Sequence, residues 1–295
     1  MKFLPLLAFA ASVAAAAVQA PTQAPYVFAT FMSENEGKPN EQTWLQIHTS
    51  TDGLNFGASI AKYKPPKGLI RDPSIIKDKD GSYYIVHTTG WTGDTFGVIR
   101  SKDLKTWNQV AMVKTEVKDT QQTWAPEWFT DPKDGKVYVI VSIKTKEANF
   151  APYIFTTQGN LSDFNAGEKL NVHNTGSGTH QAHVDMFMVY KPDDKKTPYH
   201  AFMRNGDEKH IEHLTSKTVK GPWNYVQTNN ALGFGETEGP ALTKLPNGKW
   251  IMWMCGENGV VDAYSTSNDL STWAQPSDNL QLNGVFQQGT VLKQH

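Results

Sequence analysis

The chain has 295 residues, in which 28 Lys and Arg stand against 29 Asp and Glu. This near balance removes the electrostatic basis for binding nucleic acid or an anionic membrane. Cys255 is the single cysteine, so no internal disulfide can form and stability must come from a packed core.

In chain order the first expected element is a leader. Met1-Lys2 precedes Leu4-Pro5-Leu6-Leu7-Ala8-Phe9-Ala10 and an alanine-rich run. One positive charge, a short apolar core and small residues at Ala17 and Ala20 read as a secretory signal peptide over residues 1–20. The run is too short and too rich in Ala for a membrane anchor. Residues 21–295 are then expected as one exported domain. No heptad or amphipathic helix argues for assembly, so a monomer is expected. Asn160-Leu161-Ser162, in a predicted turn, offers an N-glycan site at Asn160.

Two interleaved repeats set the architecture. The first is a turn that ends in an aromatic residue. It runs Ser50-Thr51-Asp52-Gly53-Leu54-Asn55-Phe56, Ser101-Lys102-Asp103-Leu104-Lys105-Thr106-Trp107, Asn160-Leu161-Ser162-Asp163-Phe164, Thr218-Val219-Lys220-Gly221-Pro222-Trp223 and Ser267-Asn268-Asp269-Leu270-Ser271-Thr272-Trp273. The aromatics are spaced 51, 57, 59 and 50 residues apart. The second repeat is a pair of apolar strands around a tight turn. Asp72-Pro73-Ser74-Ile75-Ile76 leads through Asp80-Gly81 to Tyr83-Tyr84-Ile85-Val86. Pro126-Glu127-Trp128-Phe129, Val184-Asp185-Met186-Phe187 and Glu238-Gly239-Pro240-Ala241-Leu242 open comparable units.

Four short antiparallel strands per period of about 50 residues make a propeller blade. The expected fold is all-β, a five-bladed β-propeller with four-stranded blades. Gly289-Thr290-Val291-Leu292-Lys293 should form the inner strand of the last blade. Tyr26-Val27-Phe28-Ala29-Thr30 and Trp44-Leu45-Gln46-Ile47-His48 should complete it, closing the ring with both termini. A pair of β-sandwiches is the alternative, but it does not predict five near-equal periods.

The first strand of each blade lies beside the axis, so its opening residue faces the central funnel. The openers are Asp72, Glu127, Asp185, Glu238 and the Gln287-Gln288-Gly289 segment, expected at one level of the ring. Gathering like charges at one mouth costs repulsion and desolvation, which points to chemistry rather than structure. Proline in Asp72-Pro73 and Glu238-Gly239-Pro240 fixes the entry of two of these strands.

On Arg71-Asp72-Pro73-Ser74-Ile75, Trp124-Ala125-Pro126-Glu127, His183-Val184-Asp185 and Glu238-Gly239-Pro240 the chain resembles glycoside hydrolase family 43 over its whole mature length. The resemblance implies Asp72 as general base, Asp185 as orienting and pKa-modulating carboxylate, and Glu238 as general acid. It also implies hydrolysis with inversion at the anomeric carbon and no required cofactor. Arg71, Trp91, Trp124, Glu127, His183, Arg204 and Gln288 form the expected substrate-binding set. Trp91 and Trp124 would stack on sugar, and Glu127 is either a sugar contact or an electrostatic neighbour of the trio. Many relatives place a His where Gln288 stands, often near a central ion. Gln is a poorer metal ligand, which weakens the case for an axial calcium ion without excluding one. His173, His180, His210 and His213 show no metal-ligand spacing.

Arg71-Asp72-Pro73-Ser74-Ile75, Trp124-Ala125-Pro126-Glu127-Trp128-Phe129, Ile211-Glu212-His213 and Gly221-Pro222-Trp223 resemble the exo-α-L-arabinofuranosidase branch, whose members act on α-1,5-linked arabinan. The expected partner is plant cell-wall polysaccharide or oligosaccharide. A β-xylosidase of the same family is the nearest alternative, and a catalytically idle sugar-binding propeller is the alternative outside enzymes.

Overall fold

The computed structural model describes residues 24–173, 182–256, 259–278 and 281–294. The leader expected over residues 1–20 and His180 lie outside them. No helix occurs among the described residues, and five small, mainly antiparallel sheets stand in a ring. This is a five-bladed β-propeller.

Blade one runs outward from Arg71–Lys77 through Tyr83–Thr88 and Thr95–Ser101 to Asn108–Lys114. Blade two follows as Thr120–Thr130, Val137–Thr145, Ala151–Thr156 and Glu168–Lys169. Blade three holds His183–Tyr190, Tyr199–Asn205, His210–Ser216 and Trp223–Gln227. It gains a fifth strand, Val172–His173, which lies parallel to Trp223–Gln227. Blade four has three strands among the described residues, Glu238–Lys244, Trp250–Cys255 and Val261–Ser267. Isolated bridges from Tyr264 to Ser277 and from Ser267 to Trp273 stand in place of its fourth. The expectation of four strands in every blade therefore fails at blades three and four, where the outer segments are short.

Blade five closes the ring. Its inner strand Thr290–Lys293 pairs with Tyr26–Glu34, matching Tyr26 to Lys293 and Phe28 to Val291, and Gln42–Ser50 and Ala61–Tyr63 complete it. Joining the first and last described strands in one blade ties the two ends of the ring together.

Three of the five repeated turns, at Asp52, Asp103 and Asp269, share one local mechanism. Asp103 Oδ1 accepts the backbone N–H groups of Lys105 and Thr106 at 2.9 and 2.7 Å. Asp269 does the same with Ser271 and Thr272 at 2.9 and 2.7 Å, and Asp52 with Leu54 and Asn55 at 2.8 Å each. Such bonds favour the ionised carboxylate, and in Asp103 they pull the pKa down to about 2. The residue after each Asp is left-handed, with φ of 80° at Gly53, 63° at Leu104 and 69° at Leu270.

The turn places its terminal aromatic against the preceding blade. Trp107 packs with Leu45, Ile47, Ile75 and Ile85 between blades five and one. Phe164 packs against the cluster of Val86, Phe96, Val139 and Phe155 between blades one and two. Trp223 joins Phe129, Ile140, Met186 and Leu214 between blades two and three. Trp273 and Phe56 fill the next two seams, beside Phe202 and Met252 and beside Phe28 and Trp253. One repeat aromatic per seam explains the near-constant period. Trp223 is fully buried, so Trp223→Ala is expected to destabilise the fold by about 3–5 kcal/mol. Urea unfolding at neutral pH reads this, and a loss below about 1 kcal/mol would show that the seam can collapse around the gap.

Candidate active site

Four inner strands share a kink at the mouth of the ring. Each carries one left-handed residue, namely Asp72 at φ 48°, Ala125 at 45°, Asp185 at 59° and Gly239 at 57°. Each lies within a break in register against the second strand of its blade. A bulge adds one residue, bends the strand and re-aims the side chains around it. Asp tolerates the left-handed region better than most residues, which suits Asp72 and Asp185 to this position. Gly239 is needed twice over, since a Cβ there would also lie 2.7 Å from Cγ of Gln288.

This alignment corrects the expected level of the four carboxylates. Asp72 and Asp185 occupy equivalent kinks. Glu238 stands one residue before its kink and Glu127 two residues after, so Glu127 sits one step further down the inner strand. Glu127 does not line the mouth cavity. His183 does not line it either, and its Nε2 meets the Tyr225 hydroxyl at 2.9 Å instead.

The mouth cavity has a volume of about 540 Å³. Asp72, Asp185 and Glu238 all face it, together with Arg71, Trp91, Trp124, Arg204 and Gln288 of the expected set. Hydroxyl groups tie the blades together beneath it. Thr88 donates to Asp72 Oδ2 at 2.7 Å while accepting the backbone N–H of Ala125 at 2.8 Å. Ser142 accepts the N–H of Asp185 at 3.1 Å, and Gly239 N–H reaches Asp185 Oδ2 at 3.3 Å. Gln288 also hydrogen-bonds the Asp185 carboxylate.

Burial, followed by the charge of Asp185 and opposed by Arg204, pushes Glu238 up to about 7. Arg204 meets Glu238 Oε2 at 2.6 Å, so the ion pair and the desolvation pull in opposite directions. Burial also pushes Asp72 up to about 6, against the pull of Arg71 and with help from Asp185. Asp185 itself is raised by burial, with Arg204, Gln288 and the Gly239 N–H working against that rise. Asp72 and Glu238 are thus raised toward neutrality and Asp185 is raised in the same direction, as a site for acid–base chemistry requires.

One wall is a stacked platform. The Arg71 guanidinium lies 4.8 Å from the Phe31 ring and 4.3 Å from the Trp91 ring, and pairs with Glu36 and Glu41 at 2.6 and 2.9 Å. Trp91 donates its indole N–H to Glu41 at 2.6 Å and presents an edge-to-face contact to Trp124. Trp91 remains 38% exposed, enough to offer apolar surface to a sugar.

Sequence reasoning missed Glu36, Thr88 and Gly259 of the lining. Thr88 was accessible to it, because the Asp80-Gly81 hairpin places Thr88 opposite Arg71. Glu36 was not, since it belongs to the loop between the first two strands of the closing blade. Among the described residues no group of three or more His, Cys, Asp or Glu is arranged to hold a metal ion.

A family model described as a probable glycosyl hydrolase domain, related to glycoside hydrolase family 43, matches residues 22–294. The chain belongs to this family. No curated protein sequence matches the chain. Among solved structures, this family-43-related glycosidase is similar to an endo-arabinase from Bacteroides thetaiotaomicron, at 18% identity and a TM-score of 0.53. That match covers 73% of this chain and 81% of the arabinase. The RS223 β-xylosidase is 14% identical with a TM-score of 0.57, over 78% of this chain and 82% of that one. An exo-β-1,3-galactanase from Clostridium thermocellum is 15% identical with a TM-score of 0.56, over 76% of this chain and 51% of the galactanase. These likenesses are to the fold, and three different sugars on one fold leave the substrate to the site.

Proposed function

We propose that the protein is a secreted, inverting exo-α-1,5-L-arabinofuranosidase that releases arabinose from arabinan or its oligosaccharides. The observation that carries the reading is the convergence of Asp72, Asp185 and Glu238 on one cavity, from blades one, three and four. Asp72 takes a proton from water as its oxygen attacks the anomeric carbon. Glu238 gives its proton to the glycosidic oxygen as the carbon–oxygen bond breaks, so the leaving sugar departs as a neutral alcohol. An inverting pair needs its two carboxyl groups about 6.5–9.5 Å apart to admit that water. Asp185 adds negative charge that keeps the proton on Glu238, and Thr88 orients Asp72. Trp91 and Trp124 stack on the sugar, while Arg71, Arg204 and Gln288 hold hydroxyl groups or the carboxylates. Export follows from the N-terminal leader.

The choice of arabinose rests on the motif resemblance around Asp72 and Trp124. Linear α-1,5-arabinan is expected to yield arabinose alone, released first as the inverted anomer by NMR. Xylose from xylo-oligosaccharides, with none of this release, would move the assignment to β-xylosidase. No release from any pentose oligomer would leave a sugar-binding propeller.

A further inference from the structure

Beneath the mouth cavity lies a much smaller space of about 20 Å³. Asp72, Asp185 and Gln288 line both, and Glu127, Phe187 and Thr290 bound the lower one. A space of this size takes one water, and a buried water needs two to four polar partners. The carboxyl groups of Asp72, Asp185 and Glu127 and the amide of Gln288 supply them. We propose that Glu127 is a positioning residue that acts on Asp72 and Asp185 through one water held in this space. The inference rests on the reading of Asp72 as the base.

The hydrogen bonds give the arrangement its direction. Ser74 Oγ accepts the Trp128 N–H at 3.0 Å, so its own proton goes to Glu127 Oε1 at 2.6 Å. That leaves Oε2 to carry the proton of a neutral carboxyl group. Burial, with Asp185 adding to it and Ser74 opposing, raises the Glu127 pKa well above the usual carboxylate range. Neutral Glu127 donates to the water, and the water donates to the two carboxylates above it. Asp72 and Asp185 thus gain a donor without gaining a neighbouring charge. The other charges facing this axis are Glu36, Arg71, Arg204 and Glu238 around the mouth, and Lys244 and Lys293 in the lower funnel that shares Glu127.

Steady-state kinetics over about pH 4–9 test this in three variants. Glu127→Leu removes the donor. Its acidic limb, set by Asp72, is expected to move up by about one unit, which lowers kcat about tenfold on that limb and leaves KM unchanged. Glu127→Gln keeps an N–H donor in place and is expected to restore both the limb and most of the rate. Ser74→Ala frees the Glu127 proton from its orientation and should shift the limb the same way, which keeps the test open if Glu127→Leu does not fold. An unmoved limb in a folded Glu127→Leu or in Ser74→Ala overturns the proposal. So does a Glu127→Gln enzyme as impaired as the Leu variant, or a rise in KM alone, which would make Glu127 a sugar contact. A calcium-dependent melting temperature that Glu127→Gln abolishes would place a cation there and also overturn it. Full activity in Asp72→Asn would instead overturn the reading of the base. An inactive Asp72→Asn beside an unmoved Glu127→Leu limb would overturn only the water.

Discussion

Asp72→Asn is expected to lower kcat on arabino-oligosaccharides by about 10²–10⁴-fold, the usual worth of a positioned proton acceptor. KM should change little, because on the proposed reading the sugar meets a wall of Trp91 and Arg71 that Glu36, Glu41 and Phe31 hold in place. The same variant should be more stable than the wild type above neutral pH. The sign follows from the raised pKa of Asp72, at about 6 in the fold. A carboxyl group whose folded pKa lies above its unfolded value favours the fold at low pH and loses that contribution as pH rises through about 6. An amide has no such loss. The gain in melting temperature should therefore grow between about pH 4 and pH 6, stay constant above that, and vanish below about pH 3, where the wild-type carboxyl is protonated in both states. Equal melting temperatures at pH 8 would show that Asp72 carries no desolvation cost.

Glu238→Gln is expected to cost a similar factor on natural substrate, about 10²–10⁴-fold in kcat, for loss of the proton donor. An aryl arabinoside with a nitrophenolate leaving group should lose far less, because that oxygen leaves without a proton. The contrast between the two substrates separates general-acid loss from misfolding or weak binding. The wild-type rate should rise as pH passes about 6, where Asp72 ionises, and fall past about 7, where Glu238 loses its proton. These limbs belong to the coupled set of carboxyl groups and not to either residue alone. In Glu238→Gln the basic limb should disappear. A basic limb that survives unchanged would assign it to another group and remove Glu238 from the acid role.

Much of this architecture was legible because the repeat is a packing requirement. Each turn of the repeat ends in an aromatic that fills one seam, so Phe56, Trp107, Phe164, Trp223 and Trp273 recur at the spacing of the blades. The strand openers were legible too, because each inner strand begins after a polar break and runs into apolar residues. What sequence could not place was the bulge. It adds one unpaired residue at the kink of four of the five inner strands, and no residue pattern marks which one turns left-handed. Hence Glu127 was expected at the mouth and lies below it, while Asp72 and Asp185 share the kink and Glu238 precedes it. His183 was misplaced for a related reason. Its neighbour Val184 lines the cavity, whereas the His183 ring turns to Tyr225.

Sequence by itself determined the ring and its three carboxylates, because hairpin turns, alternating apolar strands and seam aromatics are local or periodic. Their chemistry was a tertiary decision. The pKa of Glu238 depends on burial and on Asp185 and Arg204, which lie on another blade and more than 30 residues away. The Glu36 contact to Arg71 and the small space over Glu127 likewise exist only once the last strand closes beside the first. Charge proximity and desolvation are properties of assembled space, and no window of sequence contains them.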